Sequence, residues 1–336
     1  MSQRYPGNIV RATPTTPTGP YESDAASGVW TLDQAQYWRR QGLWPIAGNV
    51  SFGVFALGCT SGGIVATRDK YLFSNCAVSS ATAATAASWY GSAAGNSTAG
   101  IFALGFVCGS PSITRNKYTY AGCVVSAGGA ATAASQAGSA AGNSTVGIFA
   151  LGNTTGRTAV RNKYTYAGDV VSAATSATFP ACSGSAAGNC AVGIFALGCA
   201  GGGVSDRNKY LYASDTVSAG GNATAQSRYG TATGNSTVGI FALGSTPVCP
   251  SGTRNKYTYA SCVVTAASGA TGFSRLGAAA GNSTVGIFAL GCVSSTRSTS
   301  RDKYTYSGDV VTNGGAATTA ARYGSAASNG TTGVNM

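Results

Sequence analysis

The 336-residue chain contains no histidine. That removes the commonest general base and the commonest metal-binding side chain, and with them most catalytic triads and zinc sites. Charge is scarce as well: 9% of residues are charged, and only 9 are Asp or Glu. The acids are scattered, so no paired carboxylates or acidic cluster point to hydrolysis or metal binding. There is no phosphate-cradling glycine loop of the nucleotide-binding kind. No apolar run approaches the roughly eighteen residues of a membrane helix, so membrane insertion is not expected. The opening residues, MSQRYPGNIVRATP, lack an apolar signal-peptide core. No cofactor and no enzyme activity are expected.

What the chain does have is a period. The phrase GNSTVGIFALG or a near-copy starts at Gly48, Gly95, Gly142, Gly188, Gly234 and Gly281. A second phrase, R-[ND]-K-Y-x-[YF], keeps step at Arg68, Arg115, Arg161, Arg207, Arg254 and Arg301, with successive arginines 46 or 47 residues apart. Two independent phrases recurring in one phase mark a repeat architecture. Six units in residues 48–336 therefore form one domain, preceded by a different segment in residues 1–47.

The sixth unit shows what each repeat builds. VGIFALG (285–291) is β-branched and aromatic and ends in glycine. KYTYSG (303–308) alternates, DVVT (309–312) is a third strip, and ARYGSAA (321–327) is a weaker fourth. Short strips broken by Gly, Asn and Ser are strands rather than helices. The AGNST step suits a tight two-residue hairpin, because Gly and Asn tolerate positive φ. It also matches the N-glycosylation pattern, but its recurrence is explained by the turn. Four antiparallel strands in about 47 residues correspond to a propeller blade. Ile and Phe of GIFALG face opposite sides, so both faces of that strand should be buried. Small residues let neighbouring sheets approach. Unit one lacks its ARYGSAA strip and the chain ends with a spare copy, so the last strip should complete the first sheet.

This order of strips resembles the kelch repeat over residues 48–336. The resemblance implies an all-β, six-bladed kelch-like β-propeller closed by the C-terminal strand, with an extended N-terminal arm. The unit departs from the kelch pattern in lacking the double glycine after the second strand and the late Trp. Kelch-like copper oxidases need histidine ligands, which this chain lacks, so that activity is removed.

The net charge is +12, and 12 of the 21 cations sit in the six triplets. They are Arg68, Lys70, Arg115, Lys117, Arg161, Lys163, Arg207, Lys209, Arg254, Lys256, Arg301 and Lys303. Two readings stay open: solvated strand flanks, or a basic ring facing phosphate, an acidic sugar or an acidic protein. Nucleic acid is not expected, because no basic block or binding motif accompanies the triplets. Ahead of the third strip, units three, four and six carry Asp169, Asp215 and Asp309, where units one, two and five carry Cys76, Cys123 and Cys262. The same three units carry Cys59, Cys108 and Cys249 after ALG. This suggests within-blade disulfides Cys59–Cys76, Cys108–Cys123 and Cys249–Cys262 and an oxidising environment. Coincidental buried thiols are the alternative.

The first 47 residues combine a proline-rich arm, ATPTTPTGP, with SGVWTLDQAQYWRRQGLWP. Thr31 and Gln34 form a capping-box pattern, so a short helix should start there. Trp30, Tyr37, Trp38, Arg39, Arg40 and Trp44 are either a plug on the repeats or an anchor for a partner. The pattern TPTGPY…GVWTLDQA…W…GLWP, with NKYTY and GIFALG units, resembles structural proteins of tailed bacteriophages, notably those infecting cyanobacteria. That implies a non-enzymatic virion protein, assembled in the host cytoplasm, released by lysis and attached to other virion proteins through its arm. Tail-fibre or receptor-binding duty toward a host glycan comes first. Capsid, neck or baseplate decoration is the alternative, and a secreted lectin-like scaffold is a third.

Overall fold

The computed structural model describes residues 31–40, 51–247, 250–293 and 296–330. It divides into two units, Met1–Ser51 and Phe52–Met336. In the first, α1 (Leu32–Arg40) begins with the expected capping box. Gln34 N–H donates to Thr31 Oγ1 at 3.2 Å, and Thr31 N–H donates to Gln34 Oε1 at 3.0 Å. Two of the orphan N–H groups at the helix start are satisfied in this way.

The second unit is all-β and propeller-like, built from small antiparallel four-stranded sheets, of which six occur among the described residues. The fourth is representative. Its strands, in spatial order, are Ser185–Gly188, Val192–Ala196, Arg207–Leu211 and Thr216–Ala219. The SAAG strip is thus the first strand, GIFA the second, RNKY the third and VSA the outer one. The first sheet takes its first strand from the far end of the chain. Ser325–Ser328 pairs with Phe52–Ala56, in the register Ala56 to Ser325 and Gly53 to Ser328. The spare C-terminal strip therefore lies in the first sheet, as its sequence position suggests, and it covers the edge that Phe52–Ala56 would otherwise leave unpaired.

Sheets pack face to face through a directional interface. Ile148 and Ala141 of the third sheet meet Phe195, Tyr210 and Tyr212 of the fourth. Ile194 and Ala187 of the fourth meet Phe241, Tyr257 and Tyr259 of the fifth. Ile287 of the sixth meets Phe55 and Tyr71 of the first. Each GIFA strand is buried on both faces because Ile serves one neighbour and Phe the other. The six first strands neighbour one another in sequence, and that of the sixth sheet neighbours Ser325–Ser328 of the first.

Two glycine positions explain the recurrent phrases. The glycine ending ALG has φ of 78° at Gly198, where a side chain would lie 2.5 Å from the Cys182 carbonyl oxygen. The glycine of GNST is not at positive φ, contrary to the hairpin expectation. At Gly142 a Cβ would lie 2.8 Å from Tyr166 Oη, so this glycine makes room for a tyrosine. The turn is built by the asparagine side chain instead. Asn143 Oδ1 accepts from the N–H groups of Thr145 and Val146, both at 2.9 Å. Its Nδ2 donates to Cys190 O of the following unit at 3.1 Å. An Asx turn needs no left-handed residue, and here it also ties neighbouring units together.

Candidate functional site

The triplet arginines are buried, not displayed. All six are at most 2% exposed. Each guanidinium lies over the phenylalanine of the next sheet's GIFA strand: Arg68 over Phe102 at 4.5 Å, Arg161 over Phe195 at 4.6 Å, Arg301 over Phe55 at 4.8 Å. Each Nη2 donates to the middle residue of the next triplet, as in Arg68 to Asn116 at 3.2 Å and Arg161 to Asn208 at 3.0 Å. Arg115 reaches Asn162 at 3.1 Å and Arg207 reaches Asn255 at 3.0 Å. Arg254 reaches Asp302 at 2.7 Å. Arg301 reaches back to Asp69 of the first unit at 2.6 Å. The relay thus returns to its start. A threonine from the preceding crossing loop completes each acceptor: Thr178 N–H donates to Asn208 Oδ1 and Thr318 Oγ1 to Asp69 Oδ1. Burial pushes Arg68, Arg115, Arg161 and Arg207 down to about 10, so they stay charged at neutral pH.

This overturns both readings of the basic ring for its arginines. They neither solvate a strand flank nor face a soluble anion, because the cation–π stack and the amide or carboxylate acceptor hold them between sheets. The lysines are half-buried, and four of them also reach into the next unit, to its aspartate or cysteine. Lys117 Nζ pairs with Asp169 of the next unit at 2.9 Å, Lys256 with Asp309 at 3.6 Å and Lys163 with Asp215 at 3.9 Å. Lys209 Nζ lies 3.4 Å from Cys262 Sγ, and Lys70 Nζ lies over the Phe52 ring at 4.2 Å. Lys303 occupies the same half-buried place on its strand.

The Asp/Cys alternation has the same cause. Cys76, Cys123, Asp169, Asp215, Cys262 and Asp309 all sit at φ between 51° and 60°. The aspartates accept from the tyrosine five residues earlier: Tyr164 donates to Asp169 at 2.7 Å, and Tyr210 and Tyr304 donate to Asp215 and Asp309. Burial alone would raise Asp215, but Thr175, Tyr210 and Lys163 together hold it below the usual carboxylate value. At Cys262 the Tyr257 hydroxyl lowers the thiol, with help from Lys209.

The within-blade disulfides are not formed. Cys59, Cys76, Cys108, Cys123 and Cys262 are free, and Cys249 lies outside the described residues. The reason is geometric. Phe52–Ala56 pairs antiparallel with Arg68–Leu72, so Cys59 follows one end of that hairpin and Cys76 the other. Five strand residues at roughly 3.4 Å each separate them, well beyond the roughly 7 Å Cα limit of a disulfide. Cys108 and Cys123 flank opposite ends of Arg115–Thr119 in the same way.

Among the anchor candidates, Tyr37 is exposed and meets Trp38 edge to face at 5.1 Å. Arg40 is exposed, Arg39 lies in the helix, and Trp30 and Trp44 lie outside the described residues.

A different site emerges where the RYG strip precedes each first strand. Tyr90, Ala137, Ser183, Tyr229, Leu276 and Tyr323 all have φ between 54° and 62°. Their backbones form a cycle. Ala137 N–H donates to Tyr90 O, Ser183 to Ala137, Tyr229 to Ser183, Leu276 to Tyr229, Tyr323 to Leu276 and Tyr90 to Tyr323, over 2.7–3.1 Å. Left-handed non-glycine residues cost of order 1–3 kcal/mol each and persist only when their surroundings hold them. Here the cycle does so. These six residues and the glycines after them line a cavity of about 80 Å³. Two of the three mouth tyrosines join an aromatic cluster: Tyr90 and Tyr323 rings lie 4.2 Å apart, and Trp89 meets Tyr323 at 5.2 Å and Phe106 at 5.9 Å. Arg322 lies over Tyr323 and Arg228 over Tyr229. Burial and the Tyr323 hydroxyl hold the Tyr90 hydroxyl well above the usual phenol range. The repeat pattern does not single out this site, because the mouth residue changes from unit to unit while the packing residues do not.

Just outside the mouth, each first hairpin carries one more opposed pair in the same register: Trp89 with Phe106, Gln136 with Asn153, Cys182 with Cys199, Arg228 with Ser245, Arg275 with Cys292 and Arg322 with Cys59. At the other end of the first strands, a second cavity of about 80 Å³ is lined by Ala, Gly, Ser and Thr alone. No group of three or more potential metal-binding side chains occurs among the described residues. Comparison with protein-family models and with curated proteins gave no match.

Proposed function

We propose that the six sheets are the blades of one closed kelch-like propeller, sealed by Ser325–Ser328. We propose further that the chain is a non-enzymatic structural protein of a phage particle, displayed for host attachment, with carbohydrate received at the aromatic mouth. The observation that carries this reading is how the repeats differ. Side chains that join sheets are nearly the same in all units, whereas the mouth carries Tyr, Ala, Ser, Tyr, Leu and Tyr. Half-buried aromatic rings with neighbouring arginines offer stacking faces and hydrogen-bond donors to a sugar. Support for the particle setting comes from the resemblance of residues 1–47 to phage structural proteins.

Mass spectrometry and immunogold labelling of purified particles test the setting; absence of the chain from particles overturns it. A glycan array with the full chain and with Tyr90→Ala/Tyr323→Ala tests the mouth. Binding lost in the variant supports the site, and binding retained moves it elsewhere. Decoration of capsid, neck or baseplate is the second reading, favoured by the interlocking of charged side chains between sheets. A particle-bound chain that ignores every glycan would select it. Attachment through the arm predicts that Trp30→Ala/Trp38→Ala weakens incorporation while the melting of the repeats stays unchanged.

A further inference from the structure

One hairpin places two thiols face to face. The strands Ser185–Gly188 and Val192–Ala196 continue beyond their last pair, Ser185 with Ala196, to Cys182 opposite Cys199. These two residues exchange both backbone hydrogen bonds. Cys182 N–H donates to Cys199 O at 3.1 Å, and Cys199 N–H donates to Cys182 O at 2.8 Å. Residues paired in this way have Cα atoms about 5.5 Å apart and side chains on one face of the sheet. Disulfides bridge Cα separations of about 4.4–6.8 Å, so the pair needs only side-chain rotation and a small backbone adjustment. Both thiols are partly exposed, so a small oxidant can reach them. No other first hairpin carries cysteine at both of these positions. The unit before it has Gln136 and Asn153 there.

We propose that Cys182 and Cys199 are a disulfide-forming pair, a covalent staple across the open end of the first hairpin of the fourth sheet. It forms by exchange with a small-molecule disulfide. One thiol loses its proton, and the thiolate attacks a sulfur of the small disulfide and expels one small thiolate. The second cysteine, deprotonated in turn, attacks the mixed disulfide and expels the other small thiolate. The two cysteines are oxidised by two electrons in all, the small disulfide is reduced to two thiols, and the two cysteine protons end on them. Burial raises the Cys182 thiol above its ordinary value, so the exchange runs faster at alkaline pH. Cys190 is the nearest competitor in sequence, but it sits in the turn at the far end of the same hairpin. The staple adjoins the mouth, because Ser183 belongs to the backbone cycle and its hydroxyl lies 3.7 Å from Cys182 Sγ. The inference stands on this geometry alone and does not depend on the proposed function.

The test uses the full chain, incubated at alkaline pH with oxidised glutathione, alkylated and digested without reductant. The expected product is a linked peptide joining Cys182 to Cys199, two hydrogen masses lighter than the separate thiol peptides. The oxidised protein should melt about 5 °C higher than the reduced one, from the entropy of closing a short loop in a domain of this size. Reductant should reverse the shift. Cys182→Gln/Cys199→Asn, which installs the pair of the preceding unit, should fold, melt like the reduced wild type and show no shift. Separate glutathione or alkyl groups on Cys182 and Cys199, or a Cys182–Cys190 link, would overturn the proposal. A correct link with no change in melting would overturn the staple.

Discussion

The sharpest test of the arginine relay compares two of its links that differ by one charge. Arg301 donates to Asp69 at 2.6 Å, and the two side chains are each 1% exposed. Arg161 makes the same stack and the same Nη2 bond, but to the neutral Asn208 at 3.0 Å, and only Arg301 of the two adds a weaker bond from Nη1 to Ala316 O at 3.3 Å. Replacing Arg301 with Met leaves a buried carboxylate with only the Thr318 N–H and hydroxyl as donors. Removing one partner of a buried ion pair costs about 3–5 kcal/mol. Replacing Arg161 with Met leaves a neutral amide that keeps Thr178 on both its oxygen and its nitrogen. The losses there are one charge-assisted bond and one cation–π stack, offset by relief of a buried charge, for a net cost of about 1–2 kcal/mol.

Urea unfolding reads the difference directly. With a slope of about 3 kcal/mol per molar, Arg301→Met should lower the midpoint by about 1–1.5 M and Arg161→Met by about half as much. Adding Asp69→Asn to Arg301→Met removes the orphan charge and should recover about half of the loss, a coupling expected only of residues in contact. Asp69→Asn alone recreates the pair found in four other units and should cost about 1 kcal/mol or less. Equal midpoints for the two methionine variants, or a double variant no more stable than Arg301→Met, would refute the account.

Three further outcomes follow. Asp215 and Asp309 are held below the ordinary carboxylate value of 3.8, so their stabilisation is complete above it and is lost as pH falls through their lower folded values. Stability measured against pH should decline below about pH 4, and Tyr210→Phe/Tyr304→Phe should shrink that acid-labile part; an unchanged profile would show that the hydroxyls do not set it. Gly147→Ala brings a Cβ to 2.9 Å from Tyr166 Oη and should cost about 1–3 kcal/mol, with partial recovery on adding Tyr166→Phe; no recovery would place the strain elsewhere. A chain ending at Gly324 lacks the strand that pairs with Phe52–Ala56 and should lose single-transition melting; an unchanged transition would show that this pairing is dispensable.

Period, strand strips, capping box and the place of the last strip were legible because each is local or repeats. GIFA declares burial on both faces through its own residues, and Thr31 with Gln34 declares a helix start within four residues. The arginines were misread because a charged side chain at a strand end looks solvated when one unit is considered alone. Its partners lie in the next unit: Phe102 under Arg68 and Asn116 at its tip. The cysteines were misread for a related reason. Their co-occurrence by unit was real, but the antiparallel register puts Cys59 and Cys76 at opposite ends of one hairpin. Applying that register to the sequence would instead have paired Cys182 with Cys199, whose positions continue the pairing of Ser185 with Ala196.

The direction of the interface explains why so little charge suffices. Every sheet offers Ile (Val54 in the first) and a guanidinium on one side, and Phe, Tyr and an amide or carboxylate on the other. A unit gives its own arginine at most one backbone carbonyl, as Ala316 gives Arg301; the stacking ring and the Nη2 acceptor come from the neighbour, and for the last unit from the first. Asp appears at the middle triplet position in units six and one alone, so the two charge-paired links are Arg254 to Asp302 and Arg301 to Asp69. These links lie on either side of the sixth sheet, and the second joins the ends of the repeat array. A buried ion pair is more demanding of geometry than an arginine–amide bond. Placing one where the last repeat meets the first ties a satisfied charge to that single register, because any other mate for Arg301 along the array would leave Asp69 buried and unpaired.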